Sequence, residues 1–111
     1  MAQMYRLKLE LDGYQVVMAK DGEEGLRLAN EVDPDIVFLD IRLPKMDGFA
    51  VLAGLRACDQ TRNVPVVILS NYGEQELVDR GLKLGALEYL IKSQTKPADL
   101  SRGVENWLRE E

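Results

Sequence analysis

Short apolar runs alternate with amphipathic stretches along most of the chain. Tyr14–Ala19, Ile36–Asp40, Val66–Ser70 and Leu87–Ile91 read as strands. Glu23–Val32, Phe49–Cys58 and Glu74–Leu84 carry apolar residues at helical spacing between them, and Pro97–Arg109 follows the last strand in the same way. The boundaries are punctuated. Asp33-Pro34 closes the first of these helices, Asp47-Gly48 serves the turn into the second, Gly85 stops the third, and Pro97 sits in the first turn of the fourth. Nearly all-apolar strands separated by single helices predict a parallel sheet covered on both faces. With right-handed crossovers this gives an α/β fold, a doubly wound parallel sheet with flanking helices.

The first eleven residues fit two patterns. Met4, Leu7 and Leu11 form a helical stripe, whereas Tyr5, Leu7, Leu9 and Leu11 alternate with Arg6, Lys8 and Glu10 at period two. Asp12-Gly13 stands where a two-residue hairpin turn would precede Tyr14, so helix and hairpin both remain open.

A length of 111 residues without a linker or repeat predicts one domain, 1–111. The net charge of −5 argues against a general nucleic-acid or anionic-membrane binder, and no apolar run is long enough to span a bilayer. The chain has no histidine, which removes the usual general base at neutral pH. The single Cys58 excludes an internal disulfide; within the pattern of Phe49, Leu52 and Leu55 it reads as a buried structural thiol. No signal peptide opens the sequence, and a cytoplasmic location is the expectation.

Chemistry concentrates at the predicted strand ends. Asp40, Ser70 and Lys92 terminate three successive strands, and in a parallel sheet those ends lie along one edge, where ligands bind. A carboxylate nucleophile, a hydroxyl and an ammonium suit phosphoryl transfer onto the carboxylate, ordinarily assisted by a divalent cation. Read singly, Asp40 is a strand-end cap, Ser70 a turn cap, Lys92 a solvated lysine and Tyr89 a packing residue; the joint spacing favours the chemical reading.

From Tyr14 to Glu111 the chain resembles the response-regulator receiver domain of two-component signalling. The resemblance rests on Leu39-Asp40, Pro44 and Gly48 in the loop that follows, Ser70, Lys92, and Tyr89 three residues before Lys92. It implies a flavodoxin-like sheet in which Asp40 takes a phosphoryl group from a histidine kinase, a phosphotransfer protein or a small phosphodonor. It further implies that Ser70 and Lys92 hold the phosphate, Tyr89 rotates as a switch, and the last helical layer meets an unspecified downstream protein. Such a domain is a phospho-acceptor rather than a turnover enzyme. Arg42, Asn71 and Tyr72 would flank the site, with Arg42 and Tyr72 crowding the water that hydrolyses the acyl phosphate. Lys92 is followed by Ser93 where the family often has proline, which predicts a differently shaped loop.

The family binds Mg²⁺ through the acceptor, here Asp40, a backbone carbonyl, here that of Arg42, and an acidic pair ending its first strand. Neither that strand nor that pair is found: residues 1–13 align with the end of the first helix, and Asp12 falls at the helix end away from the site. The chain therefore reads as N-terminally truncated, with Mg²⁺ binding in doubt. In the 2-1-3-4-5 order the first strand is interior, and burying about four apolar side chains there is worth ~1.5–3 kcal/mol each. Three explanations are open: the natural protein starts upstream of Met1; the chain rearranges, by Tyr14–Ala19 pairing directly with Ile36–Asp40, a Tyr5–Ala19 hairpin, or pairing with another chain as a homodimer or strand-exchanged oligomer; or the shortened form works without metal-dependent phosphorylation. Two other functions compete: a receiver-like interaction module that is never phosphorylated, and a small flavin-binding electron carrier, for which no phosphate-cradling loop is visible.

Overall fold

The computed structural model describes residues 2–42 and 46–109. In chain order the elements are α1 (Ala2–Leu11), α2 (Gly22–Val32), β1 (Val37–Leu39), α3 (Gly48–Ala57), β2 (Val66–Ser70), α4 (Gln75–Lys83), β3 (Glu88–Ile91) and α5 (Pro97–Arg109), with a 3-10 turn, Lys92–Gln94, before α5. The three strands form a parallel sheet of order β1-β2-β3. Apolar side chains cover both faces, as nearly continuous hydrophobic strands require. One layer joins Leu39, Val66 and Ile68 to Phe49, Leu52 and Leu55 of α3 and Ala29 of α2. The other joins Val67 and Leu69 to Tyr5 and Leu9 of α1 and to Leu100, Val104 and Trp107 of α5. Phe38 meets the Trp107 ring edge-on at 5.9 Å.

Caps explain several boundaries. The Asp21 carboxylate accepts from the Glu24 N–H at 2.8 Å and starts α2, which ends at Asp33 in the left-handed region (φ 52) just before Pro34. The Asp47 carboxylate does the same for α3 through the Ala50 N–H at 2.9 Å, the turn role expected of it.

The N-terminal segment is a helix, so the Tyr5–Ala19 hairpin does not form. The helical stripe expected at Met4, Leu7 and Leu11 is also the wrong face: these are 59%, 60% and 82% exposed, while Tyr5 and Leu9 are each 6% exposed. A helix docked on α5 needs only the one i, i+4 pair that points inward. Asp12 stands at the end of α1, where its carboxylate accepts from the Ser101 hydroxyl of α5. That bond, with Lys8 beside it, holds the Asp12 carboxyl below its usual range.

Tyr14–Ala19, expected as a strand, joins no ladder, and its direct pairing with β1 does not occur. Its apolar residues report one-sided burial rather than pairing: Tyr14 and Val16 pack against the α1/α5 layer, while Val17 and Met18 are exposed. A trough of about 630 Å³ separates this segment from β1, and Leu9, Val51, Leu55, Leu100 and Val104 help to line it. A ladder needs a neighbour about 4.7–4.9 Å away, and across the trough neither segment has one. Cys58 is half-buried rather than buried, with its Sγ 3.1 Å from Asn30 Oδ1, because it caps the end of α3.

Candidate functional site

The register aligns the chemistry. Leu39 pairs with Ile68, and Ser70 pairs with Ile91. Asp40, Ser70 and Lys92 therefore come off adjacent strands at one edge, as the sequence predicts. The Lys92 ammonium reaches Asp40 Oδ2 at 2.6 Å, and the two side chains are 14% and 30% exposed. The Arg42 main-chain N–H donates to Asp40 Oδ1 at 3.1 Å. A carboxylate held this way by one ammonium and one amide is fixed in direction yet still open to an incoming group.

Ser70 is fully buried at the end of β2, and its Oγ accepts from the Tyr72 N–H at 3.0 Å. Its hydroxyl proton can still be offered to an oxygen at the site. The Tyr89 phenol donates to the Tyr72 carbonyl at 2.6 Å. Burial pushes this phenol above its usual pKa; the Ser70 hydroxyl opposes the shift, and the charges of Glu74 and Asp40 add to it. Tyr89 therefore stays a donor across the neutral range. Asn71 is exposed directly after Ser70, and the Arg42 guanidinium lies 4.5 Å from the centroid of the Tyr72 ring. Pro44 lies outside the described residues.

Gly48 is a steric requirement. Its N–H donates to the Ile41 carbonyl at 2.7 Å, and a Cβ at this position would overlap the Asp40 carbonyl. Another supporting residue is absent from the sequence reading. The Tyr5 hydroxyl donates to the Thr95 carbonyl at 2.7 Å and lies 3.4 Å from that of Lys92, so α1 braces the turn that presents the lysine. No local signal marks a contact between residues so far apart in sequence. The turn at Lys92–Gln94, closed by Thr95 N–H to the Lys92 carbonyl at 3.3 Å, is the loop that Ser93 was expected to reshape.

The sequence matches the response regulator receiver domain family over residues 1–105. The chain belongs to that family. It is 38% identical over 99 residues to the DNA-binding dual master transcriptional regulator RpaA of Synechocystis, a match covering 89% of this chain and 39% of that protein. It is 37% identical to the alkaline phosphatase synthesis transcriptional regulatory protein PhoP of Bacillus subtilis, over 96% of this chain and 43% of PhoP. The chain thus spans about two fifths of the length of these relatives. Among solved structures, the receiver domain of a Pseudomonas aeruginosa sensor histidine kinase, with magnesium in its active-site cleft, superposes with a TM-score of 0.87 at 30% identity, covering 97% of this chain and 88% of that one. The receiver domain of a Francisella response regulator gives a TM-score of 0.87 at 34% identity, covering 98% and 88%. The receiver's fold is accordingly the flavodoxin-like sheet that the resemblance implies.

The magnesium of the Pseudomonas domain prompts a test of fit for this receiver. A Mg²⁺ ion wants six oxygens in near-octahedral array, usually with one or two carboxylates and a phosphate among them. Asp40 and the Arg42 carbonyl were the expected ligands from this chain. Among the described residues no group of three or more His, Cys, Asp or Glu side chains could hold a metal, and Asp40 already pairs with the Lys92 ammonium. The described residues do not by themselves make up such a site.

Proposed function

We propose that this receiver accepts a phosphoryl group on Asp40. The observation that carries the reading is the Lys92–Asp40 contact at 2.6 Å, placed by the parallel register beside the buried Ser70 hydroxyl. The donor is the phosphohistidine of a histidine kinase or phosphotransfer protein; the chain has no histidine of its own. A carboxylate oxygen attacks phosphorus in line as the P–N bond breaks, and the imidazole leaves with the bonding pair. The Lys92 ammonium and the Ser70 hydroxyl meet charge on the phosphoryl oxygens, which favours transfer. No substrate is turned over, so the receiver is a phospho-acceptor rather than an enzyme. Tyr89, already bonded to the loop after Ser70, couples the site to α4, β3 and α5. These elements form the face offered to a downstream protein. The transcriptional roles of the relatives make a regulator of transcription the natural output, reached through segments or proteins beyond this acidic chain.

Intact-mass measurement with acetyl phosphate and Mg²⁺ tests the proposal. One added phosphoryl group that disappears in Asp40→Asn is expected. No addition to a folded sample would overturn it and favour the unphosphorylated interaction module, a reading supported by the absence of a metal-holding carboxylate cluster among the described residues.

A further inference from the structure

β1 is an edge strand whose open side is turned inward. The Val37 N–H donates to the Pro65 carbonyl at 2.9 Å, and β1 pairs with β2 alone. Main-chain groups alternate sides along a strand, so those of Val37 and Leu39 serve β2, while the Phe38 N–H and C=O face the trough. The opposite wall is equally unserved: among the described residues, 15–19 make no main-chain hydrogen bond. Both walls run the same way. Residues 14–19 lead into Gly22, where a Cβ would overlap the Met46 carbonyl in the loop after β1, so they end beside the end of β1.

Between the walls lie about 630 Å³, lined by Val51 and Leu55 on one face and by Leu9, Leu100 and Val104 on the other. Protein interiors leave few voids larger than a water molecule, and a space of this size is that of a ligand pocket. The lining selects the ligand. Apolar side chains on both faces and unpaired main-chain groups on both edges are what an interior parallel strand requires. An apolar molecule would suit the faces but leave the Phe38 N–H and C=O without partners. The wall at residues 36–40 takes a segment of about five residues, at ~3.3 Å each.

Charge narrows the choice of partner. Asp33 and Asp35 line the trough at the start of β1, and neither forms an ion pair among the described residues. Arg6, also in the lining, is paired with Glu10 at 3.4 Å. A segment parallel to β1 brings its own beginning to these two carboxylates, where Lys or Arg is favoured. A second copy offers the wrong sign, because its unpaired segment 14–19 follows Glu10 and Asp12. We propose that the trough is a strand-acceptor site: it takes an extended apolar segment of another polypeptide, parallel to β1 and opening with Lys or Arg. The segment bonds both walls and turns β1 from an edge into an interior strand. Residues 14–19, which carry the exposed Val17 and Met18, are the wall that moves aside for entry. The site is independent of phosphorylation at Asp40.

The test adds synthetic peptides to the whole chain and reads amide hydrogen exchange and sedimentation. The probe is acetyl-Lys-Lys-Val-Ile-Val-Ile-Thr-amide. A saturable one-to-one complex is expected, with exchange slowed roughly ten-fold or more at Phe38 and at residues 15–19. N-methylation of either alternate set of peptide amides abolishes binding, because one wall then loses its donors. Replacing Lys-Lys by Glu-Glu weakens binding, and Asp33→Asn with Asp35→Asn narrows that preference by roughly two- to five-fold per charge. Asparagine tolerates the left-handed backbone at residue 33 (φ 52). Failure of the probe to bind, binding that leaves Phe38 unprotected, or equal binding of the N-methylated peptides overturns the proposal. Protection of Phe38 by dodecanoate but not by the peptide would assign the trough to an apolar ligand. Protection that grows with protein concentration alone would assign it to a second copy. Either result overturns the strand-acceptor site.

Discussion

β1 and β2 end side by side at the working edge of the sheet, but they are held differently. β2 is five residues long, buried throughout and paired on both sides. β1 is three residues long, paired on one side, and faces the trough on the other. Ser70 therefore has no exposed surface, while the Asp40 side chain keeps 30% of its own. The contrast fits the division of labour proposed for them. A hydroxyl that answers a new charge is best mounted on the most rigid strand, whereas an acceptor approached by another protein's phosphohistidine must be reachable. The main-chain amide of Arg42 and the Lys92 ammonium fix the direction of the Asp40 carboxylate.

The sharpest way to break this contrast is to compare truncations on the two sides of β1. Leu52→Ala, in the closed layer under β1 and β2, is expected to cost about 2–5 kcal/mol in urea unfolding. Val17→Ala, on the exposed segment across the trough, should stay within ~0.5 kcal/mol. Equal losses would mean that the two walls are equally consolidated. A smaller effect sharpens the account of the lysine. Tyr5→Phe deletes the hydroxyl that braces the Lys92 turn and should cost about 1 kcal/mol, with faster amide exchange at Thr95. Unchanged exchange there would show that the turn holds itself.

The smallest effect appears only in alkali. The folded Tyr89 phenol ionises above its usual value, so the native state holds that proton more tightly than the unfolded chain. The linked stability is complete below the unfolded tyrosine pKa of about 10 and is lost as pH rises through the folded value. In a spectrophotometric titration, Tyr89→Phe should remove the highest-pH portion of the tyrosine transition. Loss of a lower portion instead would place Tyr89 in water.

The sequence made Asp40, Ser70 and Lys92 legible because strand-end position is written locally, in where an apolar run stops, and a parallel sheet turns three such stops into one edge. Asp47 and Gly48 were legible for the same reason, each acting on immediate neighbours. Tyr14–Ala19 reads as a strand because an apolar run packed against a helical layer and one paired in a ladder leave the same trace in a sequence, and only a neighbouring strand distinguishes them. In α1, Leu7 and Leu11 satisfied two periodicities while pointing away from the core, so hydrophobicity alone could not choose the face. The brace from Tyr5 to Thr95 and the resting place of Arg42 on Tyr72 are products of tertiary contact between distant segments.

The brace from Tyr5 also orders events during synthesis. Tyr5 and Thr95 lie 90 positions apart, and at ~5–20 residues per second the second follows the first by about 5–18 s. Asp40 and Ser70 are made within that interval, before the turn that carries the lysine has anything to lean on. α1 meanwhile waits with Tyr5 and Leu9 uncovered, because the α5 side chains that bury them have not yet been made. A nascent chain thus carries the acceptor before it carries the lysine that pairs with it.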